Sequence, residues 1–528
     1  MNILNSSQIK ATDLETMAVQ NINSIDLMER AAEKCAQWID NQDFINEDQT
    51  IHIFCGMGNN GGDGLAIARL LSLKFYIVEV YIVHFTDKMS DDFITNYNRL
   101  EEFEIYPNSI HSEEDLPVIQ NGDVIVDAIF GTGLNKSPYG FTKELIRHLN
   151  TQNALVISID TPSGLFLDKP VKDKDAIVKS SVTLSFQLPK LSFLLPDNAE
   201  FVPNFLILDI GLDQNFIDNQ ETPYRYTNQE DLIPYYKKRQ KFSHKGTYGH
   251  ALVMGGSFGK MGSVLMAAQA AYRVGCGYVT AYIPKSGYQI LQTALPEAMV
   301  EVDSENALEF FNYSTQATAI AVGTGLGTSD KTIEGFSKFL STNRLPLVID
   351  ADALNILSQR NDLFQYLNEN TILTPHPGEL ERLIGPWEND FEKLEKINKF
   401  SLDYNCVMVV KGAHTVVVHQ GNYYFNSSGN SALAKAGMGD VLTGMIIGLL
   451  VQGYSPVYAA KLAVYLHGLT ADIYTSIHTP DSFMPSDVIN FLPGALSHFT
   501  NPFDPSKVDN EEDLENPDLF DDEDDGDF

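Results

Sequence analysis

Along the chain, short apolar runs rich in β-branched residues alternate with longer amphipathic stretches. IHIFC (51–55), DVIVDAIF (123–130), LVISID (155–160), KSSVTLSF (179–186) and NFLILDIG (204–211) are of the first kind. Each is too short for a helix, and several run into glycine or an acid, so each predicts a strand leading into a loop. The stretches between them, such as LAIARLLSLK after residue 64, predict helices, and residues 6–40 read as helical before the first strand. Near-continuous apolar strands alternating with helices predict an α/β domain with a doubly wound parallel sheet, ending near residue 213.

The pattern then changes. The stretch DQNFIDNQETPYRYTNQED (213–231) is polar, and residues 214–234 read as a linker. Beyond them the alternation resumes without repeating the earlier sequence. HALVMGG leads to an Ala-rich helix over Gly262 to Val274, and ATAIAVGTGLG (317–327) and LPLVIDADALNIL (345–357) are strands followed by turns. TILTPHPGELERLI (371–384) reads as strand, turn, helix; MVVKGAHTVVV (408–418) reads as one strand before a hairpin. A second α/β domain is predicted over 235–500.

Composition narrows the function classes. At 528 residues the chain exceeds one ordinary core, which agrees with two domains. A net charge of −34 argues against nucleic acid, which needs a basic surface. Twelve acids and no Lys or Arg lie between Asp509 and Phe528, so residues 501–528 read as an acidic, self-repelling, disordered tail. Cys35, Cys55, Cys276 and Cys406 are scattered, which fits reduced thiols rather than a disulfide frame. With neither a signal-peptide layout at the start nor a membrane-length apolar run, a cytoplasmic protein that binds no membrane is expected.

The chemistry concentrates at the strand ends. GMGNNGGDG (56–64) follows a strand and opens a helix, an arrangement that points backbone amides at an anion. It satisfies the dinucleotide glycine pattern, but the acid on the next strand, Glu79, lies mid-strand, so a hydride-transfer site fits poorly. Asp127 and Asp160 end the two following strands beside GTGLNKSPYG and TPSGL, and the three loops are predicted to converge on one crevice. In the second half, AKAGMGDVLTG (434–444) puts Gly437 and Gly439 before Asp440 and an apolar helix. That is either a plain glycine turn with a capping acid or an anion hole beside a general base. His376, between two prolines, is either a rigid turn residue or a ligand contact. Lys411 and Thr415 look like contacts to nucleotide phosphates.

Together these motifs resemble a known family. HKGTYGHALVMGGSFGKMG, GTGLG, DADALN, TPHPGE, KGAHT and AGMGDVLTG resemble the ribokinase-like ADP-dependent NAD(P)H-hydrate dehydratase. GMGNNGGDG, DAIFGTGL and DTPSGL resemble the YjeF N-terminal NAD(P)H-hydrate epimerase domain, Rossmann-like in fold. The chain is therefore similar to the bifunctional NAD(P)H-hydrate repair enzymes over all but its acidic tail, with small departures at Met57, Thr161, Tyr248 and Ser263. The resemblance implies that the first domain interconverts the R and S epimers of hydrated NADH and NADPH. The second would dehydrate the S epimer at the expense of ADP, giving AMP and phosphate.

The same resemblance assigns residues. Asp440 would be the base of the dehydratase and Asp160 the acid/base of the epimerase. Asn59, Asn60, Gly61, Gly62 and Asp63, with Gly131, Thr132, Gly133, Leu134, Asn135, Lys136 and Ser137, would line the first substrate site. Ser263, Gly325 and His376 would lie near the dinucleotide in the second, and Lys411, Gly412, Ala413, His414, Thr415 and Gly439 would hold ADP or AMP. Asn60, Asp127 and Ser163 would coordinate potassium, and magnesium would accompany ADP. A homo-oligomer, tetramer or larger, is implied. The rival readings are a ribokinase-fold small-molecule kinase, which leaves the first domain unexplained, and a non-catalytic YjeF-type scaffold, which leaves Asp63, Asp127 and Asp160 unexplained.

Overall fold

The computed structural model describes residues 1–500, so the acidic segment 501–528 lies outside the described residues. The first seven strands, β1 (Thr50–Cys55), β2 (Ile77–Val83), β3 (Asn108–Ile110), β4 (Val124–Ala128), β5 (Leu155–Ile159), β6 (Val182–Phe186) and β7 (Phe205–Leu208), form one parallel sheet ordered β3-β2-β1-β4-β5-β6-β7. The winding reverses between β1 and β4, which opens a crevice beyond their C-terminal ends. β3 carries no apolar run and was invisible in the pattern. The helical stretch before β1 is two helices, α1 (Ser6–Gln20) and α2 (Ser24–Asp40), broken where Asn21 takes a left-handed φ of 52°.

Glycines allow the layers to close at the switch point. A Cβ on Gly56 would meet the Ile129 carbonyl at 1.9 Å, and one on Gly61 would meet the Gly56 carbonyl at 1.7 Å. These glycines therefore serve close backbone approach as well as any ligand.

The remaining strands are β8 (Tyr224–Thr227), β9 (His250–Met254), β10 (Tyr278–Ile283), β11 (Met299–Val302), β12 (Ala319–Val322), β13 (Leu347–Ile349), β14 (Thr371–Leu373), β15 (Val407–Val410), β16 (Val416–His419) and β17 (Asn422–Asn426). They form a ten-stranded sheet ordered β11-β10-β9-β12-β13-β14-β15-β16-β17-β8, with its own switch point between β9 and β12. Two expectations differ here. Residues 408–418 are not one strand: β15 and β16 pair antiparallel, and KGAHT is the turn between them. Residues 214–234, expected as a linker, carry a helix at Gln214–Asp218 and β8, which adds a parallel edge strand beside β17. Alternating Tyr224 and Tyr226 pack on the second core, so a polar-looking stretch still buries one face.

The helix Met438–Leu450 is buried over most of its surface and crosses the helix Met261–Arg273. Gly444 and Gly448 stand one turn apart at the crossing, where Cβ atoms would meet Ala267 and Ala271 backbone atoms at 2.1 and 2.7 Å. Small residues let the two helices approach closely, which fixes the start of the apolar helix against the sheet.

Candidate functional site

Two crevices carry the charged side chains, one per sheet. In the first, Asp160 follows β5 with a positive φ of 62°, an uncommon conformation for a residue with a Cβ. Its carboxylate accepts from Lys190 Nζ at 2.6 Å and from the Phe186 amide at 3.2 Å. Lys190 is only 1% exposed and also donates to Ser185 Oγ at 2.8 Å and to the Phe186 carbonyl at 3.2 Å. A buried ammonium with three oxygen partners is what such a charge requires. No motif marked Lys190; the signal that could have found it is a lone charge inside the apolar run LPKLSFLL.

Asp63, in the first turns of α3 (Asn59–Ser72), is buried, and burial together with Asp160, Asp13 and Asp92 pushes its pKa well above the usual carboxyl range. The site thus holds a carboxylate pinned by a lysine and a neighbouring carboxyl driven toward its neutral form. An ion-paired carboxyl beside one that burial drives toward neutrality is an arrangement from which acid/base chemistry can be built.

The other loop residues divide. Asn60 lies against Gly131, whose added Cβ would come within 3.2 Å of it, and Asn60 Nδ2 is buried without a hydrogen-bond partner among the described residues. Asp127 is fully buried and accepts from Ser158 Oγ at 2.9 Å and from Ser163 Oγ and N at 2.5 and 2.8 Å. Burial still raises its pKa. Each of Asn60, Asp127 and Ser163 carries a side-chain oxygen, and Asp127 and Ser163 are hydrogen-bonded to one another. Gly61 and Gly62 are pressed against Gly56 and Met28. Thr132 to Ser137 form a partly exposed loop, tied down where Lys169 Nζ donates to the Asn135 carbonyl at 2.8 Å. Asn59 is exposed beside them.

In the second crevice Asp440 stands in the first turn of the helix Met438–Leu450, whose N-cap, Gly437, has a φ of 95°. Burial, and then the neighbouring Asp350 and Asp352 charges, lift Asp440 to a pKa of about 6, while the Ser263 hydroxyl and the Lys411 ammonium pull it down. Lys411 Nζ donates to Asp350 Oδ1 at 3.0 Å and lies 3.9 Å from Glu379 Oε2. Burial alone would depress that ammonium, but Asp350, Glu379 and Asp440 hold its pKa above the ordinary lysine value. Asp350, 1% exposed, also accepts from Thr443 Oγ1 at 2.8 Å, which ties β13 to the helix that carries Asp440. A Cβ on Gly439 would sit 3.2 Å from Lys411 Nζ. The free amides of a helix start, a lysine and a carboxylate of raised pKa thus meet at one point, an arrangement able to hold a transferring anion beside a base.

Gly325, with φ of 62°, faces Ser263: its added Cβ would come within 2.7 Å of the Lys260 carbonyl and 3.4 Å of Ser263 Cβ. His376 caps the helix Pro377–Ile384, its Nδ1 accepting from the Gly378 and Glu379 amides, and Glu379 links it to Lys411. In the KGAHT turn, Gly412 and Ala413 are exposed and Thr415 Oγ1 closes the turn on Gly412. His414 goes elsewhere. Its ring packs on Phe205 and Tyr226, with centroids 5.9 and 6.5 Å away, so its side chain serves the seam between the two sheets rather than the crevice. Burial lowers its pKa.

The fold and the two crevices define a two-domain α/β protein, with a glycine-capped helix start beside Lys411 in its second domain. Residues 251–493 match the family model described as NAD(P)H-hydrate dehydratase, and residues 24–192 match that of the YjeF-related protein N-terminus. The chain is 36% identical over 474 residues to the bifunctional NAD(P)H-hydrate repair enzyme of Coxiella burnetii, covering 87% of this chain and 92% of that protein. It is 31% identical to the enzyme of the same name from Moorella thermoacetica, over 94% of this chain and 97% of that one. A crystal structure of the ADP/ATP-dependent NAD(P)H-hydrate dehydratase from Bacillus subtilis with ATP and Mg2+ shares 30% identity, covering 52% of this chain and 98% of that one with a TM-score of 0.44. The chain belongs to the family of bifunctional NAD(P)H-hydrate repair enzymes. Among the described residues no helix is long and apolar enough to cross a membrane.

Proposed function

We propose that the first domain interconverts the R and S epimers of hydrated NADH and NADPH, and that the second converts the S epimer back to NADH or NADPH with ADP as phosphoryl donor. The observation that carries the second half is Asp440, a carboxyl of raised pKa at a helix start beside Lys411. Hydroxide is a poor leaving group. As ionised base, Asp440 takes the proton of the 6-hydroxyl while that oxygen attacks the terminal phosphorus of ADP and AMP departs. The amides at Gly437–Gly439 and the Lys411 ammonium face the charge on the transferring group. Loss of the C5 proton and cleavage of the C6–O bond then release phosphate and form the C5=C6 double bond of the reduced nicotinamide. The proposed nucleotide contacts are Lys411 and the backbone of Gly412, Ala413 and Thr415; Ser263, Gly325 and His376 lie on the dinucleotide side.

In the first domain, the Lys190-held Asp160 exchanges a proton with the hydrated ring, whose epimeric carbon carries both hydroxyl and nitrogen. Asn60, Asp127 and Ser163 would hold potassium; their side-chain oxygens are the donor type such an ion takes, and it would supply positive charge beside the substrate. Magnesium would arrive with the nucleotide phosphates, since among the described residues no cluster of three His, Cys, Asp or Glu stands ready for a metal ion. The homo-oligomer and the cytoplasmic location implied by the motifs remain part of this proposal.

The test is to incubate the full chain with hydrated NADH and ADP, following near-ultraviolet absorbance and phosphate together. Recovery of NADH with one phosphate per turnover supports the reading. Accumulation of a stable phosphorylated product would favour a kinase instead.

A further inference from the structure

The family match begins at residue 24, so α1 lies outside it, yet α1 bears on the first crevice. Ile9 and Met17 pack into the cluster that contains Phe186 and Leu188, the turn that presents Lys190. Asp13 lies four residues from each on the same helix face, so its carboxyl shares the stripe that faces this turn. The helix is fastened at both ends: the Ser6 amide and hydroxyl donate to Asp168 at 3.1 and 2.5 Å, and Gln20 donates to the Gly211 carbonyl at 2.8 Å. Among the described residues Asp13 has no hydrogen-bond or ion-pair partner of its own.

We infer that Asp13 is a further acid–base group of the first-domain site, the proton donor that complements the Lys190-held Asp160 carboxylate. The inference rests on the epimerase reading. In the step it serves, Asp13 protonates the C6 hydroxyl, the C6–O bond breaks with loss of water, and the ring-nitrogen lone pair closes to an iminium. A water then adds to the opposite face and its proton returns to the carboxylates, so atoms and charge balance with no redox change. The charges facing Asp13 are Asp160 and Lys190, and Asp63 from α3 feels Asp13 in turn. Burial first, and then Asp160, lift Asp13 to about 7 against the opposing pull of Lys190, which keeps it protonated on the acid side of neutrality.

The test follows exchange of the separated R and S epimers by the full chain without nucleotide, across pH. The unaltered protein should lose exchange activity as pH rises through about 7. Asp13→Asn should lower exchange about 100-fold at pH 6 and abolish that alkaline limb. Asp13→Glu should keep measurable activity with the limb displaced, which guards against a mere folding defect in the amide variant. An unchanged alkaline limb in either variant would overturn the inference, whatever happens to the rate. Absence of epimer exchange in the unaltered protein would instead strike the epimerase reading, and this inference with it.

Discussion

The two crevices use the same sheet geometry and opposite electrostatics. Each opens where a parallel sheet reverses its winding, at β1 and β4 in one domain and β9 and β12 in the other. In the first, a carboxylate is pinned by a fully buried lysine; in the second, a lysine is surrounded by carboxylates, one of which is the base at a helix start. A site that only moves protons needs one fixed ion pair and one neutral acid. A site that transfers a phosphoryl group must also receive polyanionic charge, and there the amides of a helix start and a partly exposed ammonium are of more use.

The largest effects should separate the domains. Asp440→Asn should slow ADP-dependent recovery of NADH from the S epimer about 1,000-fold, the range of a lost general base, while epimer exchange continues. Asp160→Asn should do the reverse, stalling recovery from the R epimer only. Loss of both activities in either variant would break the division of labour.

Next comes stability. Lys190→Met leaves Asp160 buried without its partner and should destabilise the first domain by about 3–5 kcal/mol in denaturant unfolding. Lys411→Met should have a smaller effect, because Lys411 is partly exposed and Asp350 keeps Thr443. Equal losses would remove the contrast between the sites.

The pH dependence sharpens it further. A base must be ionised, so single-turnover dehydration should rise with pH through about 6, the raised value of Asp440. The same raised value means the folded protein is penalised once pH climbs above it, because the folded state then gives up a proton that it binds more tightly than the unfolded chain does. Without nucleotide, Asp440→Asn should therefore be more stable than the unaltered protein at pH 8, by about 1–2 kcal/mol after allowance for partial exposure, and no more stable near pH 4. Thermal unfolding at the two pH values decides this. The smallest effect concerns His414: since its ring faces Phe205 and Tyr226, His414→Ala should change nucleotide Kd by less than about threefold while costing about 1–2 kcal/mol of stability. A tenfold loss of affinity measured by calorimetry would return the side chain to the crevice.

Much of this architecture was legible before any coordinates. Apolar strands running into glycine or an acid marked β1, β4, β5, β9, β12 and β13, and one running into a proline turn marked β14, because a strand buried on both faces has no freedom to be polar. The glycine turn before Asp440 was legible as a helix start for the same local reason: only that sequence gives a left-handed N-cap followed by a buried helix. β3, β8 and the KGAHT turn were missed or misread, since a short edge strand needs little hydrophobicity and a hairpin turn without an Asn-Gly signal looks like continuous strand.

By itself, then, the sequence determined the order of elements, the loops that bear chemistry and the family to which the chain belongs. These depend on local patterning and on motifs read in order. Only the tertiary structure decided which charges face one another. Lys190 reaches Asp160 across 30 positions, Lys411 reaches Asp350 across 61, and His414 turns away from its own motif toward β7. Electrostatic energy depends on separation and burial in space, and neither is written in the spacing of residues along a chain.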